Sequence, residues 1–453
     1  GEAAAATAFA DLLFMPQARS LIRLFFARTA ARKNPWAAAA KPVARVAVVG
    51  AGLMGAGIAE VSAAAGLSVR IKDVTLELAQ AGRDRAATAL AARGGKGMTL
   101  EGADAAAERV VPVADYAALA EAEVTIEAVL EDLELKRAVL AQVENVTAPG
   151  HLYASNTSAL RIADLAAAAE RPEAVVGMHY FSPVAKMELL EVVVTRHTAE
   201  WAVATATAVG LRQGKSVIVV LDGPGFYTTR VLSVFLAEAV MALREGVAPA
   251  VLESAMVTAG FPLGPLALLD DVGIDTGAKI EAVLEPLLME RGYVVPGGTA
   301  GGVSARLAKA GFLGRKAHKG FYIYEGESRT REFDVRAFLA AGLPLPLDGQ
   351  GAWPSAQLKE RLLLTFAREA MLCLEEGVLG SARDGDVGAV LGLGFPAYLG
   401  GPFAMLDGLG LKEALARFEA LRDEHGERFS PPAMLVDMAA ADKLFYPVSR
   451  AAS

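Results

Sequence analysis

The run Val46–Ala59, VAVVGAGLMGAGIA, constrains the fold more than any other stretch of the chain. Gly50, Gly52 and Gly55 stand in the spacing G-x-G-x-x-G. They lie directly behind the β-branched stretch Val43–Val49 and directly ahead of an apolar helical pattern from Leu53 to Ala65. In that strand–turn–helix setting the first glycine permits a tight turn and the second lets a pyrophosphate approach the backbone. The third lets helix and strand pack closely, and the helix N-terminus faces the phosphate charge. Leu67–Lys72 is the predicted second strand, closed by Asp73, at the expected distance of about twenty residues. A carboxylate there accepts hydrogen bonds from ribose hydroxyls and repels a 2′-phosphate, so the predicted dinucleotide is NAD rather than NADP. Arg70 and Lys72 beside it blur that preference.

Short β-branched runs continue to alternate with alanine-rich helical stretches as far as Val220. Arg109–Val113, Val124–Ala128, His151–Ser155, Ala174–His179 and Val217–Val220 read as strands. Such alternation predicts a mainly parallel sheet with helices on both faces, which binds ligands outside the carboxyl ends of its strands. Beyond Gly223-Pro224-Gly225 the pattern changes to long helices that contain an internal repeat. Arg230–Val247 (RVLSVFLAEAVMALREGV) matches Arg361–Val378 (RLLLTFAREAMLCLEEGV), and Gly260–Gly273 resembles Gly394–Gly410. Two copies of one helical unit, each covering the apolar face of the other, account for the match. The predicted class is therefore a Rossmann-type α/β domain followed by an all-α domain of two repeated helical units. The predicted boundaries are 1–42 for an N-terminal helix and linker, 43–222 for the Rossmann-type domain, 223–342 for the first repeat and 343–453 for the second. The proline-rich stretch Leu343–Pro354 reads as the connecting loop.

The net charge of −8 argues against nucleic acid as a partner, and no apolar run reaches the length of a membrane span. A single cysteine, Cys373, cannot form an internal disulfide, and its helical setting reads as core packing. This fits a reducing compartment, such as a bacterial cytoplasm, a mitochondrial matrix or a peroxisome. Between Pro16 and Lys41 six basic residues stand without an acid, and Leu21, Leu24, Phe25 and Arg28 recur at helical spacing. A docking helix with a linker is the favoured reading. An organelle transit peptide and a helix lying on a membrane surface are the alternatives.

Oxidation of an alcohol by a nicotinamide cofactor needs a base for the hydroxyl proton, a task suited to histidine near neutral pH. Of the five histidines, His179 alone stands at the end of a predicted strand where the sheet topology places ligands, in GMHYFSPVAKMELLEVV. Glu191 follows on another apolar run, Leu189–Val194, far enough along for the chain to turn back and set a carboxylate against the imidazole. Such a carboxylate fixes the ring tautomer and steadies an imidazolium. From spacing alone, a hydrogen-bonded structural histidine is the alternative. His151, His197, His318 and His425 read as surface or structural. Ser158, in ASNTSAL, suits the cap of a helix beginning near Leu160, and Glu131 and Lys136 read as part of a solvated helical face. No cysteine pair or closely spaced histidines offer a metal site.

In this order, GAGLMGAGIA, EAVLEDLELK, ASNTSAL, GMHYFSPVAKMELLEVV, DGPGFYTTR and GFLGRKAHKGFYIY carry a resemblance that spans essentially the whole chain. It is to the L-3-hydroxyacyl-CoA dehydrogenase region of the multifunctional fatty-acid β-oxidation enzymes, the trifunctional-protein and fatty-acid-oxidation-complex α subunits. The resemblance implies NAD-dependent oxidation of an L-3-hydroxyacyl-CoA to the 3-ketoacyl-CoA, with His179 as base, Glu191 as its partner and Ser158 on the substrate oxygen. It implies that Met54, Asp73, Glu131 and Lys136 lie along NAD, together with Gly50, Gly52 and Gly55. Ser182 and Thr229 stand where many members carry Asn, and they are expected at the substrate. Lys96, with Lys186, Arg315, Lys316 and Lys319, is a candidate for the CoA phosphates. The enoyl-CoA hydratase domain that precedes the dehydrogenase in those enzymes has no counterpart here, so oxidation without hydration is expected of this fragment. An acyl-CoA substrate, a homo-oligomer or thiolase partner, and a membrane contact through the first helix are the partners implied. The competing readings are a dehydrogenase of free 3-hydroxy acids and an idle NAD-binding scaffold.

Overall fold

The computed structural model describes residues 9, 12, 15–95, 97–295, 298–299, 302–326, 328–345 and 354–447. The chain forms two compact units, one of residues 26–226 and one of residues 227–453 with 1–25.

The first unit is built on an eight-stranded sheet of β1 (Arg45–Val49), β2 (Ser68–Lys72), β3 (Val110–Val113), β4 (Val124–Glu127), β5 (Leu152–Ser155), β6 (Val175–Tyr180), β7 (Leu189–Val194) and β8 (Ser216–Leu221), in the order β3-β2-β1-β4-β5-β6-β7-β8. β1 to β6 run parallel, β7 runs antiparallel to β6, and β8 follows β7 in parallel. The central strands are continuous apolar runs because helices cover their faces. Val46, Val48, Ile71, Ile126, Met178 and Val192 join Ile58 of the helix Leu53–Ala64 in one core cluster. The strand order reverses between β1 and its neighbours β2 and β4. This opens the crevice in which such sheets bind nucleotides.

In the N-terminal helix, Pro16–Ala30, Leu21 and Phe25 of the face expected to dock on the chain itself, a partner or a membrane surface are 46% and 64% exposed, and the residues that the chain itself buries are Ala27 and, just beyond the helix, Ala31. The reason is geometric: alanines let the chain come close enough for the Ala31 carbonyl to accept from Val217 N at 2.8 Å, on the edge strand β8. An open edge amide is thereby covered. Arg28 pairs with Glu188 at 2.6 Å, Asn34 donates to the Ala204 carbonyl at 2.8 Å, and Lys41 N donates to Thr205 Oγ1 at 3.0 Å. Residues 26–42, from within the stretch 1–42 expected as an N-terminal helix and linker, thus fall in the compact unit of the sheet. Among the described residues no helix is long and apolar enough to cross a membrane.

In the second unit the internal repeat becomes a reciprocal ion-pair lattice. Arg230, on the helix Thr228–Arg244, donates to Glu369 at 2.6 Å and Glu376 at 2.7 Å on the helix Ser355–Glu375 and the residue that follows it. In the opposite direction Arg361 reaches Glu245 at 2.6 Å and also Glu238. The duplication extends to side-chain-to-backbone bonds that the sequence match alone does not show. Glu253 accepts from Leu266 N and Ala267 N at the start of one helix, as Asp386 does from Phe403 N and Ala404 N at the start of another. Asp270 holds Phe321 N and Tyr322 N, and Asp407 holds Phe445 N and Tyr446 N. The Tyr322 hydroxyl donates to Glu253 and that of Tyr446 to Asp386. Burial pushes Asp386 up to about 8, so its bonds to two amides and a phenol compensate for lost hydration. Two short antiparallel pairs, Val294–Val295 with Gly298–Thr299 and Tyr322–Glu325 with Ser328–Phe333, are strand elements of the first copy. Most of the expected connecting loop Leu343–Pro354 lies outside the described residues.

Candidate active site

The glycine loop has the geometry that its spacing predicts. Gly50 has φ of 97°, and a Cβ on it would lie 2.5 Å from the Ala128 carbonyl oxygen. A Cβ on Gly55 would lie 1.8 Å from the Gly50 oxygen, so the third glycine is required by helix–turn packing. Gly52 is the contrast: a Cβ there meets nothing within 4 Å, and as N-cap of Leu53–Ala64 it supplies no side-chain cap. Backbone amides beneath open space at a helix N-terminus fit a pyrophosphate. Met54, partly buried, packs on the core at the first turn. Asp73 accepts from Ala51 N and Val74 N, both at 2.7 Å, and so ties the end of β2 to the glycine loop. Each carboxylate oxygen keeps a further lone pair for a ribose hydroxyl. Asp73→Ala is expected to raise the NAD concentration needed for half-saturation by about 10- to 100-fold, as stranded amide donors cost about 1–3 kcal/mol, and to narrow the gap to NADP. Cofactor-dependent initial rates check this, and equal use of both cofactors by the unmutated chain would contradict it.

At the far side of the crevice His179 and Glu191 face each other. They are register partners across β6 and β7, and the imidazole Nδ1 lies 2.9 Å from Glu191 Oε2. Both are buried, Glu191 completely. An ionised carboxylate only accepts, so Nδ1 carries the proton and Nε2 presents its lone pair. Phe181 packs at a ring distance of 4.5 Å and Phe226 at 6.2 Å, which holds the imidazole in an apolar wall. The antiparallel turn between β6 and β7 is what brings together two residues so far apart in sequence.

Between these two regions lies a buried network centred on Glu127, a residue that sequence reasoning missed. Glu127, at the carboxyl end of β4, is completely buried and accepts from Lys136 Nζ at 2.7 Å, Val129 N at 2.8 Å and Ser155 Oγ at 2.7 Å. Lys136 is only 1% exposed, so its reading as a solvated surface residue is corrected: a buried acid on the neighbouring strand draws it in. It also reaches Glu131 at 3.4 Å. Glu131 in turn accepts from Thr157 Oγ1 at 2.6 Å and from Ser158 N at 3.0 Å. Ser158 does not cap the following helix, which begins at Ile162 and whose first amides, those of Ile162 and Ala163, are held by the Asp222 carboxylate; Thr157 Oγ1 takes the turn amides of Ala159 and Leu160. The Ser158 hydroxyl is thus left for other work while its backbone is fixed. Asn156 Oδ1 accepts from Tyr180 N at 2.8 Å, which ties this loop to the residue beside His179. An acid closing a central strand, nine residues ahead of a lysine, was the available signal.

Of the remaining candidates, Ser182 is exposed on the loop after β6 and precedes a cis proline, Pro183. Thr229 is buried in the first turn of Thr228–Arg244, in the second unit. Lys96 lies outside the described residues. Lys186 is exposed, Arg315 pairs with Asp271 at 2.8 Å, and Lys316 bonds Asp275 at 2.6 Å. Lys319 lies over the Phe312 ring at 4.1 Å. His151 is structural: Nδ1 meets the Ala122 carbonyl and Nε2 the Thr125 hydroxyl, and burial pushes it down to about 4.

A nucleotide-binding sheet with an acid closing β2 and a carboxylate-backed histidine at the end of β6 defines the class, an NAD-dependent oxidoreductase. The pattern of the 3-hydroxyacyl-CoA dehydrogenase NAD-binding domain matches residues 45–223, and that of the C-terminal domain of the same enzymes matches residues 225–324 and 358–448. The (S)-3-hydroxybutyryl-CoA dehydrogenase of Ralstonia eutropha is 33% identical, is covered completely by 63% of this chain, and superposes with a TM-score of 0.57. The chain belongs to the 3-hydroxyacyl-CoA dehydrogenase family. A 3-hydroxybutyryl-CoA dehydrogenase from Escherichia coli K12 is 29% identical with a TM-score of 0.75, over 88% of this chain and 99% of that one. The fatty acid oxidation complex subunit alpha of Shewanella loihica is 41% identical over 97% of this chain. The chain spans 61% of the length of that relative.

Proposed function

We propose that the chain oxidises the 3-hydroxyl of L-3-hydroxyacyl-CoA thioesters of fatty-acid β-oxidation, with NAD as the oxidant. NAD, when bound, takes up the hydride released from C3. His179 Nε2 accepts the hydroxyl proton as the C3–O bond becomes a carbonyl, and Glu191 holds the ring and offsets the charge it gains. Ser158, with its backbone fixed by Glu131, is placed to orient the substrate oxygen. The observation that carries this reading is the 2.9 Å contact between His179 and Glu191, which leaves Nε2 as the acceptor. The (S) configuration named for the Ralstonia eutropha relative supports the L substrate. The name of the Shewanella loihica relative supports a place in a fatty acid oxidation complex.

The discriminating experiment measures NADH formation from 3-hydroxybutyryl-CoA and from free 3-hydroxybutyrate. Turnover of the thioester in strong preference is expected. Equal rates would favour a free-acid dehydrogenase, and NAD binding without turnover of either would favour a scaffold. Glu191→Gln is expected to lower kcat by about 10- to 100-fold, since a hydrogen bond to a charged group contributes about 1.5–3 kcal/mol. A kcat matching wild type across pH would reduce Glu191 to a packing role.

A further inference from the structure

The loop 181–188 joins the strand carrying His179 to the strand carrying Glu191, and something must hold it. Its own bonds, from Lys186 N and Met187 N to the Pro183 carbonyl, close only a local turn. The grip comes from outside the loop. Lys215, at the turn before β8, is 4% exposed, and its Nζ donates to the carbonyls of both Val184 and Met187, the latter at 2.7 Å. Two residues earlier, Gln213 accepts from the Tyr180 hydroxyl at 2.7 Å and donates to Ser62 Oγ at 2.8 Å. The turn 213–215 therefore fastens the chain on both sides of Ser182. A third support is steric: a Cβ on Gly57 would lie 2.9 Å from Val184 Cβ, so the nucleotide-loop helix packs directly on this loop.

Burying an ammonium is costly, and a structural contact alone does not require one, since an apolar side chain of that volume would fill the space. A cation gathers two carbonyls at once and so fixes the path of the loop between them. We propose that Lys215 is a positioning residue for the oxidation, holding the 181–188 loop so that Ser182, His179 and Glu191 keep their mutual geometry. The assignment rests on the dehydrogenase reading above. Lys215 is buried with its ammonium on two loop carbonyls, so it acts through the loop. Misplacing reacting groups by about 1 Å costs about 100-fold.

The test uses Lys215→Met, which keeps the stem and removes the charge, and Lys215→Ala, which leaves room for a small amine, both in the full chain. NAD affinity is measured by titration and kcat with 3-hydroxybutyryl-CoA. The Met variant is expected to bind NAD within about twofold of wild type while kcat falls about 10- to 100-fold. Propylammonium, but not 1-propanol, should restore much of the lost rate to the Ala variant. If the Ala variant does not fold, the Met variant decides. A kcat within about twofold of wild type, or losses of kcat and NAD affinity that move together without amine rescue, would overturn the assignment. An inactive wild-type chain would overturn both this assignment and the reading on which it rests. An active wild type with an unaffected variant would overturn this assignment alone.

Discussion

His179→Gln is expected to slow oxidation by about 10²- to 10⁴-fold, the usual contribution of a positioned base, while NAD affinity stays near wild type. Glutamine keeps a polar group of similar reach, but its amide cannot take up a proton at neutral pH. NAD affinity is spared because the residues that fit the cofactor lie elsewhere in the sheet unit. Gly50, Gly52, Gly55 and Asp73 close β1 and β2, whereas His179 is on β6. Pre-steady-state NADH formation separates chemistry from product release. Unchanged turnover in this variant would remove His179 from the reaction.

The largest expected effect on stability falls in the other unit. Arg230→Met should destabilise by about 3–5 kcal/mol, because it leaves the buried acid Glu369 without its main partner. Glu369 is completely buried and loses its 2.6 Å contact, and Arg291, at 3.2 Å, compensates only in part. Glu376 loses a second bond. The double change Arg230→Met with Glu369→Leu should recover much of the loss, as apolar replacement of a whole buried pair is often near neutral. Denaturant unfolding followed by tryptophan-independent circular dichroism reads both. A single variant as stable as wild type would show that the lattice contributes little.

The sheet was legible because its strands are buried on both sides and so stand out as apolar runs between turn signals. The glycine loop was legible because tight turn, open approach and close packing each demand glycine at a fixed offset. His179 and Glu191 were nominated by position and resemblance, and the β6–β7 register supplies the contact that spacing alone left open. What stayed hidden depends on partners from distant segments. Lys136 looks solvated until Glu127 is placed beneath it, and Ser158 looks like a cap until Asp222, sixty residues beyond Ile162, is seen to hold the first amides of the helix, those of Ile162 and Ala163. Similarly, a large apolar stripe on the first helix drew attention to Leu21 and Phe25, while the contact runs through the small side chains Ala27 and Ala31. Main-chain bonding to a sheet edge leaves little trace in hydrophobic periodicity.

The most direct test of the account is the steady-state rate of NADH formation from the separate L and D enantiomers of 3-hydroxybutyryl-CoA, with the wild-type chain and His179→Gln side by side. The account predicts rapid NADH formation from the L enantiomer by wild type alone, with the D enantiomer near background. NADH formation that is indifferent to the enantiomer, or undiminished in the variant, would contradict it.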